Sequence, residues 1–320
     1  MREREIIAQL RRVATDPAAR GLADDVAVLG DLVISHDTIA EGVHFFSFDP
    51  PASVGWKLVA VNLSDLAAKG AEPMVALLSL SISGDGRWES DFIGGIEAAC
   101  LAYGLKLVGG DTIGLPAGAP RVLGMTVIGR NAGHIPNRSG GSAGDRLWLI
   151  GEVGNSAAGL AQLTRDRTST SNLVEIYRRP VPLLAAGKAL APHASAMMDV
   201  SDGLLIDTLR LAEASAASAA IALEVIDLGE EFVEARGDSL EARLFAATGG
   251  DDYALLAALP PECDPATLNL PAAIKMQCIG SLEPGPPALS LTFHGAAVPL
   301  PEALGHEHHG HLAAPTGDRA

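Results

Sequence analysis

Acidic residues stand where the apolar runs of this chain stop or turn, and they do so at seven places: Asp24-Asp25, Asp37, Asp65, Gly109-Gly110-Asp111, Asp199, Ser201-Asp202-Gly203 and Gly249-Gly250-Asp251-Asp252. Most follow or precede short runs rich in Val, Ile and Leu, so an α/β core built from those runs would gather several carboxylates at its strand ends. Carboxylates within a few ångström of one another disfavour joint ionisation. A fold with this pattern needs a positive partner there, and oxygen-rich sites suit Mg²⁺.

The chain has 320 residues, enough for two domains at roughly 150 residues each. Hydrophobic residues make up 48% of it, which allows substantial cores. A formal net charge of -16 argues against a nucleic-acid partner, because that surface needs basic patches to displace counterions. A phosphate-bearing small molecule remains admissible, provided metal ions invert the local sign. Cys100, Cys263 and Cys278 are odd in number and form no C-x-x-C pair, which points to reduced intracellular thiols and away from disulfides or zinc. The opening MREREIIAQLRR reads as a charged amphipathic helix without the apolar stretch of a signal peptide. No segment approaches the about 20 apolar residues of a membrane span. The expectation is a cytoplasmic enzyme with no membrane partner.

Short β-type runs alternate with longer helical patterns, which predicts mixed α/β architecture. Strands are expected at 26–29 and 32–35 about a tight Gly30-Asp31 turn, and a helix over 54–70 places Asp65 near its apolar-facing edge. A strand over 74–82, a helix over 88–103 and strands over 105–108 and 121–129 complete the first half. The Gly-, Ser- and Pro-rich stretch 134–145 is the best candidate linker, and the chain divides near residue 138. Beyond it the pattern restarts with a strand at 147–150, helices at 156–164 and 183–190, a strand end at 197–199 and a helix at 203–216. Later strands are read at 253–259, 275–280 and 288–293. The stretch 305–311, GHEHHGH, is either a flexible polar end or a transition-metal ligand set.

Neither a Walker A loop nor a dinucleotide G-x-G-x-x-G is present. Gly109-Gly110-Asp111-Thr112 follows LKLV, so two small residues would let the backbone approach a phosphate while Asp111 offers oxygen to a cation. An ordinary strand-to-loop turn explains that motif equally well. Likewise Ser201 or Asp202 alone reads as a helix N-cap, worth roughly 1 kcal/mol. Weighed together, Asp25, Asp37, Asp65, Asp111, Asp199 and Asp202 exceed what capping requires. There is no G-x-S-x-G elbow, and Cys100 lies in a helical pattern without an evident base, so metal-assisted phosphoryl transfer fits better than nucleophilic hydrolysis.

The blocks VISHDTIAEGVHF, WKLVAVNLSDLAAKGAEP, LVGGDT, NRSGGSAGD, VGNSAAGL, MDVSDGLLID and GGDDYAL, in that order, resemble the thiamine-monophosphate kinase family of the aminoimidazole ribonucleotide synthetase superfamily. The resemblance implies a two-domain α/β (α+β) protomer, with an N-terminal ATP- and Mg²⁺-binding unit over 1–138 and a C-terminal unit over 139–320. It also implies that the N-terminal sheet pairs with its twin in a homodimer, with ATP near the subunit boundary. The reaction it implies moves the γ-phosphoryl group of ATP onto thiamine monophosphate. By position, Asp25, Ser35, His36, Asp37, Asp65, Asp111, Asp199 and Asp202 would hold several Mg²⁺ ions. Tyr103, Gly110, Asp111, Arg138 and Ser201 would contact ATP, while His44, Asp251 and His306 would face thiamine monophosphate. Asp111, Asp37 and Asp202 would be the residues closest to the chemistry.

Four positions depart from the family pattern. Ala23 stands where Gly usually precedes the paired aspartates, and His36 replaces a usual Thr, which leaves its backbone carbonyl as the metal donor. Asp251 takes the place of Glu, one methylene shorter. His306 takes the place of an aromatic that would stack on the substrate. The rival readings are another ATP-using member of the superfamily, such as aminoimidazole ribonucleotide synthetase or selenophosphate synthetase, and a regulatory protein that binds ATP and Mg²⁺ without turnover.

Overall fold

The computed structural model describes residues 3–264 and 267–307, which fold as a mixed α/β protein with two sheets. In the first, strands β1 (Ala27–Leu29), β2 (Leu32–Ala40), β3 (Glu72–Ile82), β4 (Lys106–Gly114) and β5 (Val122–Arg130) take the order β1-β2-β5-β3-β4. All pairings are antiparallel except β3 with β4. The short helix α1 (Glu3–Leu10) precedes this sheet, and α2 (Pro51–Ala67) and α3 (Gly86–Tyr103) form its helical layer.

Helix α2 is the central piece. Pro51 opens it at a position where the missing N–H costs nothing, and 14 of its residues are buried, far more than one amphipathic stripe would cover. It touches α3 and β2 on the first sheet's side and reaches β7 (Ala196–Val200) and α6 (Leu184–Leu190) on the second's. A Cβ on Gly95 would lie 2.0 Å from the Ala52 carbonyl oxygen, and one on Gly55 2.2 Å from that of Phe92, so α2 and α3 meet backbone to backbone. The helix closes on left-handed Gly70, with the Gly70 N–H donating to the Ala67 carbonyl and the Ala71 N–H to the Leu66 carbonyl. This is the Schellman arrangement, and it leaves Lys69 projecting from the helix end.

The second sheet contains β6 (Arg146–Ile150), β7 (Ala196–Val200), β8 (Ser218–Ala222), β9 (Ala254–Leu259), β10 (Met276–Glu283), β11 (Ala288–Phe293) and β12 (Ala296–Val298), in the order β12-β11-β8-β10-β6-β9-β7. Helices α4 (Asn155–Arg165), α5 (Asn172–Arg178), α6 (Leu184–Leu190), α7 (Leu204–Ala214), α8 (Glu230–Arg236) and α9 (Leu240–Thr248) surround it. Both β7 and β9 are buried along their whole length; β9 is apolar throughout, and β7 is apolar except for Asp199.

Two readings from sequence change here. The strand at 32–35 continues to Ala40, which puts Asp37 inside β2. The strand at 105–108 continues through Gly109-Gly110-Asp111-Thr112, so that motif is strand and not turn. It stays paired because the register shifts by one residue at Ala76/Leu77 and Gly110 lies against Leu78, whose carbonyl oxygen a Cβ would approach to 2.0 Å. The stretch 134–145 is fastened: Asn137 bridges to Ala196, the Arg138 carbonyl accepts from Ser215 Oγ, and the Gly141 N–H donates to that same oxygen. In the 305–311 stretch, His308, His309 and His311 lie outside the described residues.

Candidate active site

A cleft of about 670 Å³ is lined by residues from β2, α2 and β7 and from the loops around 201 and 251. At its floor Asp25, Asp65 and Asp199 each offer a carboxylate oxygen, and these oxygens lie within 4.8 Å of one another. Each acid comes from a different element: Asp25 from the turn before β1, Asp65 from the last turn of α2 and Asp199 from β7.

Neighbouring hydroxyl groups aim two of these acids. Ser35 Oγ donates to Asp65 Oδ2, and Ser64 Oγ donates to Asp199 Oδ2 at 2.7 Å. Alternation along β2 turns Ser35 and Asp37 to the helix-covered face and His36 to the other. The His36 ring accordingly meets Thr126 Oγ1 at 2.8 Å, away from the acids. Asn62 Oδ1 accepts the Asp37 N–H at 3.0 Å and so ties β2 to α2 beside the cluster.

Electrostatics separates the acids into two kinds. Burial, reinforced by the neighbouring carboxylates, pushes Asp65 and Asp199 well above the usual carboxylate range. Burial likewise raises Asp37 to about 6, with His36 opposing and Asp25 and Asp202 adding. Asp25 is different: burial works against its charge, yet Arg138 and Lys69 together hold it far below the usual range. Arg138 Nε donates to Asp25 Oδ1 at 2.9 Å. Lys69, fully buried, reaches Asp24 Oδ1 at 2.7 Å, Asp25 Oδ2 at 2.5 Å and the Met197 carbonyl at 2.8 Å. The cluster offers only hard oxygen donors, with a mutual repulsion that a divalent cation would relieve, and this donor set fits Mg²⁺.

The Ser201-Asp202-Gly203 turn is not capped as its sequence suggests. Asp207, inside α7, reaches back to accept the N–H groups of Ser201, Asp202 and Gly203 at 3.1, 3.1 and 3.3 Å. Asp202 is thereby left to face the cleft and pairs with Arg210 Nη1 at 2.5 Å. Asp252 plays the capping part elsewhere, accepting the Gly154 and Ser156 N–H groups at the start of α4.

Further along the cleft, His44, Asp251 and His306 line the wall. His44 Nδ1 accepts the Ala40 N–H at 3.0 Å. The Asp251 carboxylate accepts from Lys57 Nζ and from the Tyr253 hydroxyl, each at 2.9 Å. Sequence reasoning missed Lys57, Lys69, Tyr177 and Arg210; a lysine within or beside a helical run carries no sign that its ammonium is buried. Asp25, Asp37, Asp65, Asp199, Asp202, Arg138, Ser201, His44, Asp251 and His306 do line one cleft. Ser35 stands directly behind Asp65. Tyr103, Gly110, Asp111 and the His36 ring do not line it: Tyr103 packs on Trp56 at 5.6 Å, and Gly110 and Asp111 lie on exposed edge strand β4.

Comparison with known proteins identifies the family to which this sequence and fold belong. The family described as AIR synthase related protein matches with its N-terminal domain over residues 23–131 and its C-terminal domain over residues 142–286. A thiamine-monophosphate kinase of Caulobacter vibrioides is 35% identical over 270 residues, covering 80% of this chain and 76% of that protein. One of Salmonella typhimurium is 34% identical over 281 residues, covering 82% and 83%. The solved structure of AaThiL complexed with AMPPCP and TMP superposes with a TM-score of 0.83 at 28% identity, over 96% of this chain and 97% of that one. In sequence and in fold, the chain belongs to the thiamine-monophosphate kinase family of AIR synthase related proteins.

Proposed function

We propose that this protein transfers the γ-phosphoryl group of ATP to thiamine monophosphate, giving thiamine diphosphate and ADP. The observation that carries this reading is one cleft with a convergent oxygen cluster at its floor and a separate hydrogen-bonded wall of His44, Asp251 and His306. The family relationship supplies the substrates.

An acceptor phosphate monoester with a second pKa near about 6 is mostly dianionic at neutral pH, so its oxygen needs no general base. The obstacle is repulsion between two phosphate groups. Mg²⁺ held by Asp25, Asp65 and Asp199, with Asp37, Asp202 and the positions of Ser35, His36 and Asp111 contributing by resemblance, would cancel that repulsion when bound. The chain's own residues do the rest by positioning. Arg138 and Ser201 face the cleft where ATP phosphates would lie, and Arg138 offers charge-assisted hydrogen bonds to them. His44, Asp251 and His306 hold the acceptor. An acceptor oxygen then attacks the γ-phosphorus as the bond to the β-phosphate oxygen breaks.

Tyr103, Gly110 and Asp111 enter this reading through a second copy of the chain. Leu77, Ile113 and Val122, on the face of the first sheet away from its helices, are 43%, 56% and 48% exposed, an apolar face that sheet-to-sheet pairing in a homodimer would cover. The division near residue 138 and a cytoplasmic location belong to the same reading; among the described residues no helix is long and apolar enough to cross a membrane.

The test is chromatographic detection of thiamine diphosphate after incubation with ATP, Mg²⁺ and thiamine monophosphate, with free thiamine and a Mg²⁺-free sample as controls. Mg²⁺-dependent product from the monophosphate alone is the expected result. ATP binding without product would transfer the assignment to another acceptor or to a non-catalytic sensor.

A further inference from the structure

Lys57 is 1% exposed in the middle of α2, and its ammonium ends at the acceptor wall of the cleft. Its Nζ donates to Asp251 Oδ2 at 2.9 Å and to the His44 carbonyl at 3.0 Å, and it sits 3.9 Å above the Tyr177 ring centroid. The Tyr177 hydroxyl donates to the same His44 carbonyl at 3.1 Å. One buried cation therefore ties together Asp251, the His44 turn and Tyr177, which come from three separate parts of the chain. Burying an ammonium is costly unless its protons and charge are met, and a helix that needed only packing here would be served by an apolar side chain.

The groups that Lys57 holds are under strain. Asp251 and Tyr253 have φ of 69° and 54°, a region that residues with a Cβ seldom adopt. Their backbones are pinned by the Asp251 N–H to the Ser201 carbonyl at 2.7 Å and the Tyr253 N–H to the Val200 carbonyl at 2.9 Å. The side chains are pinned by Lys57 on one Asp251 oxygen and the Tyr253 hydroxyl on the other. A short carboxylate in so fixed a pose repels a phosphate and accepts from N–H donors or faces positive charge. It is matched to the amine-bearing, cationic ring system of the acceptor, and its phosphate is left for the acid cluster at the floor.

We infer that Lys57 is a positioning residue for the phosphoryl acceptor: it fixes the Asp251 carboxylate and the His44 turn in the pose that receives the acceptor's ring system. This rests on the kinase reading and adds to it a residue that touches neither substrate. The test is steady-state kinetics of the full chain as wild type, Lys57→Met, Asp251→Asn and the double variant, varying thiamine monophosphate and ATP separately and recording thermal melts.

If Lys57 works through Asp251, all three variants raise KM for thiamine monophosphate by the same factor, roughly tenfold, with KM for ATP within about twofold of wild type. Lys57→Met alone also melts lower, and the double variant recovers, because no carboxylate is then left without its cation. An unchanged acceptor KM in Lys57→Met, an equal rise in both KM values, or effects that multiply in the double variant would each overturn the inference. Should Lys57→Met not fold, Lys57→Gln, which removes the charge but keeps a donor for the His44 carbonyl, replaces it in the same cycle with the same criteria. A wild type that makes no thiamine diphosphate sinks the kinase reading itself, and the inference falls with it.

Discussion

Strands β4 and β7 are both edge strands, and each carries an aspartate after an apolar run, Asp111 in one and Asp199 in the other. All nine residues of β4 are exposed, whereas all five of β7 are buried. The reason lies in what lies alongside. β7 is covered by α2 and bridged at Ala196 by Asn137, so Asp199 meets Asp25 and Asp65 within one chain. β4 has one neighbour, β3, and bare apolar side chains around it. An acid beside an apolar strand thus gathers with other acids where something covers the strand, and among the described residues nothing covers β4.

The largest effect is expected at the covered strand. Asp199→Asn should cut kcat by at least about a hundredfold, since it removes an oxygen from the only carboxylate cluster of this kind among the described residues. It should also raise the melting temperature of the Mg²⁺-free protein by relieving mutual repulsion. Activity within tenfold of wild type would show that β7 supplies no ligand.

Asp111→Asn should lower turnover nearly as far while leaving the melting temperature unchanged, because its side chain is exposed in the protomer. Co-refolding Asp111→Asn with Asp199→Asn sharpens the comparison. If Asp111 serves the partner's cleft, random mixing restores one intact site in the mixed dimers, about a quarter of wild-type activity. No recovery would confine Asp111 to its own protomer.

Ile113→Lys on β4 should shift the protein from dimer to monomer in size-exclusion chromatography with light scattering, by placing a charge on the apolar face. An unchanged mass would remove that face from the assembly.

The smallest effect concerns pH. Asp37 is raised from 3.8 to about 6, so the folded state binds its proton more tightly than the unfolded state does. That contribution to stability is complete below pH 3.8 and is lost as pH rises through about 6. Asp65 and Asp199, shifted in the same direction, extend the loss to higher pH. The Mg²⁺-free protein should melt lower at pH 7 than at pH 5, and added Mg²⁺ should shrink the difference. Equal curves with and without Mg²⁺ would contradict binding at these carboxylates.

Much of the first half was legible because its signals are strong. Strand β3 and helix α3 have expected boundaries within two residues of those observed, since their apolar periods and the Gly104 stop are clear. Gly109-Gly110 misled, because paired glycines usually break a strand, and nothing local reveals the register shift that keeps them paired. In the second half β8, SAAIA, follows an alanine-rich helix end, and alanine gives too little contrast to mark where helix yields to strand. Helices α5, α8 and α9 are seven to nine residues long and fix their place by tertiary packing more than by pattern. At the site the acids were legible and, Arg138 apart, the cations were not. Asp25 or Asp199 is conspicuous beside valines, but Lys57 and Lys69 look like ordinary solvated lysines until the fold buries them.

Lys57, Ser64, Asp65 and Lys69 all project from α2 or its closing turn, so both ends of the cleft hang from one rod. Eight residues separate Lys57 from Asp65, an axial rise of about 12 Å at 1.5 Å per residue. That rise is a ruler cut into the backbone. A shift of α2 against its neighbours would carry Lys57 and Asp65 together, and the span between those two side chains would survive. Gly55 and Gly95, which fix how deeply the rod is seated on α3, would alter where the ruler lies without changing its graduations. The spacing of Lys57 and Asp65 along the cleft is thus set by helical pitch, the least adjustable dimension a polypeptide has.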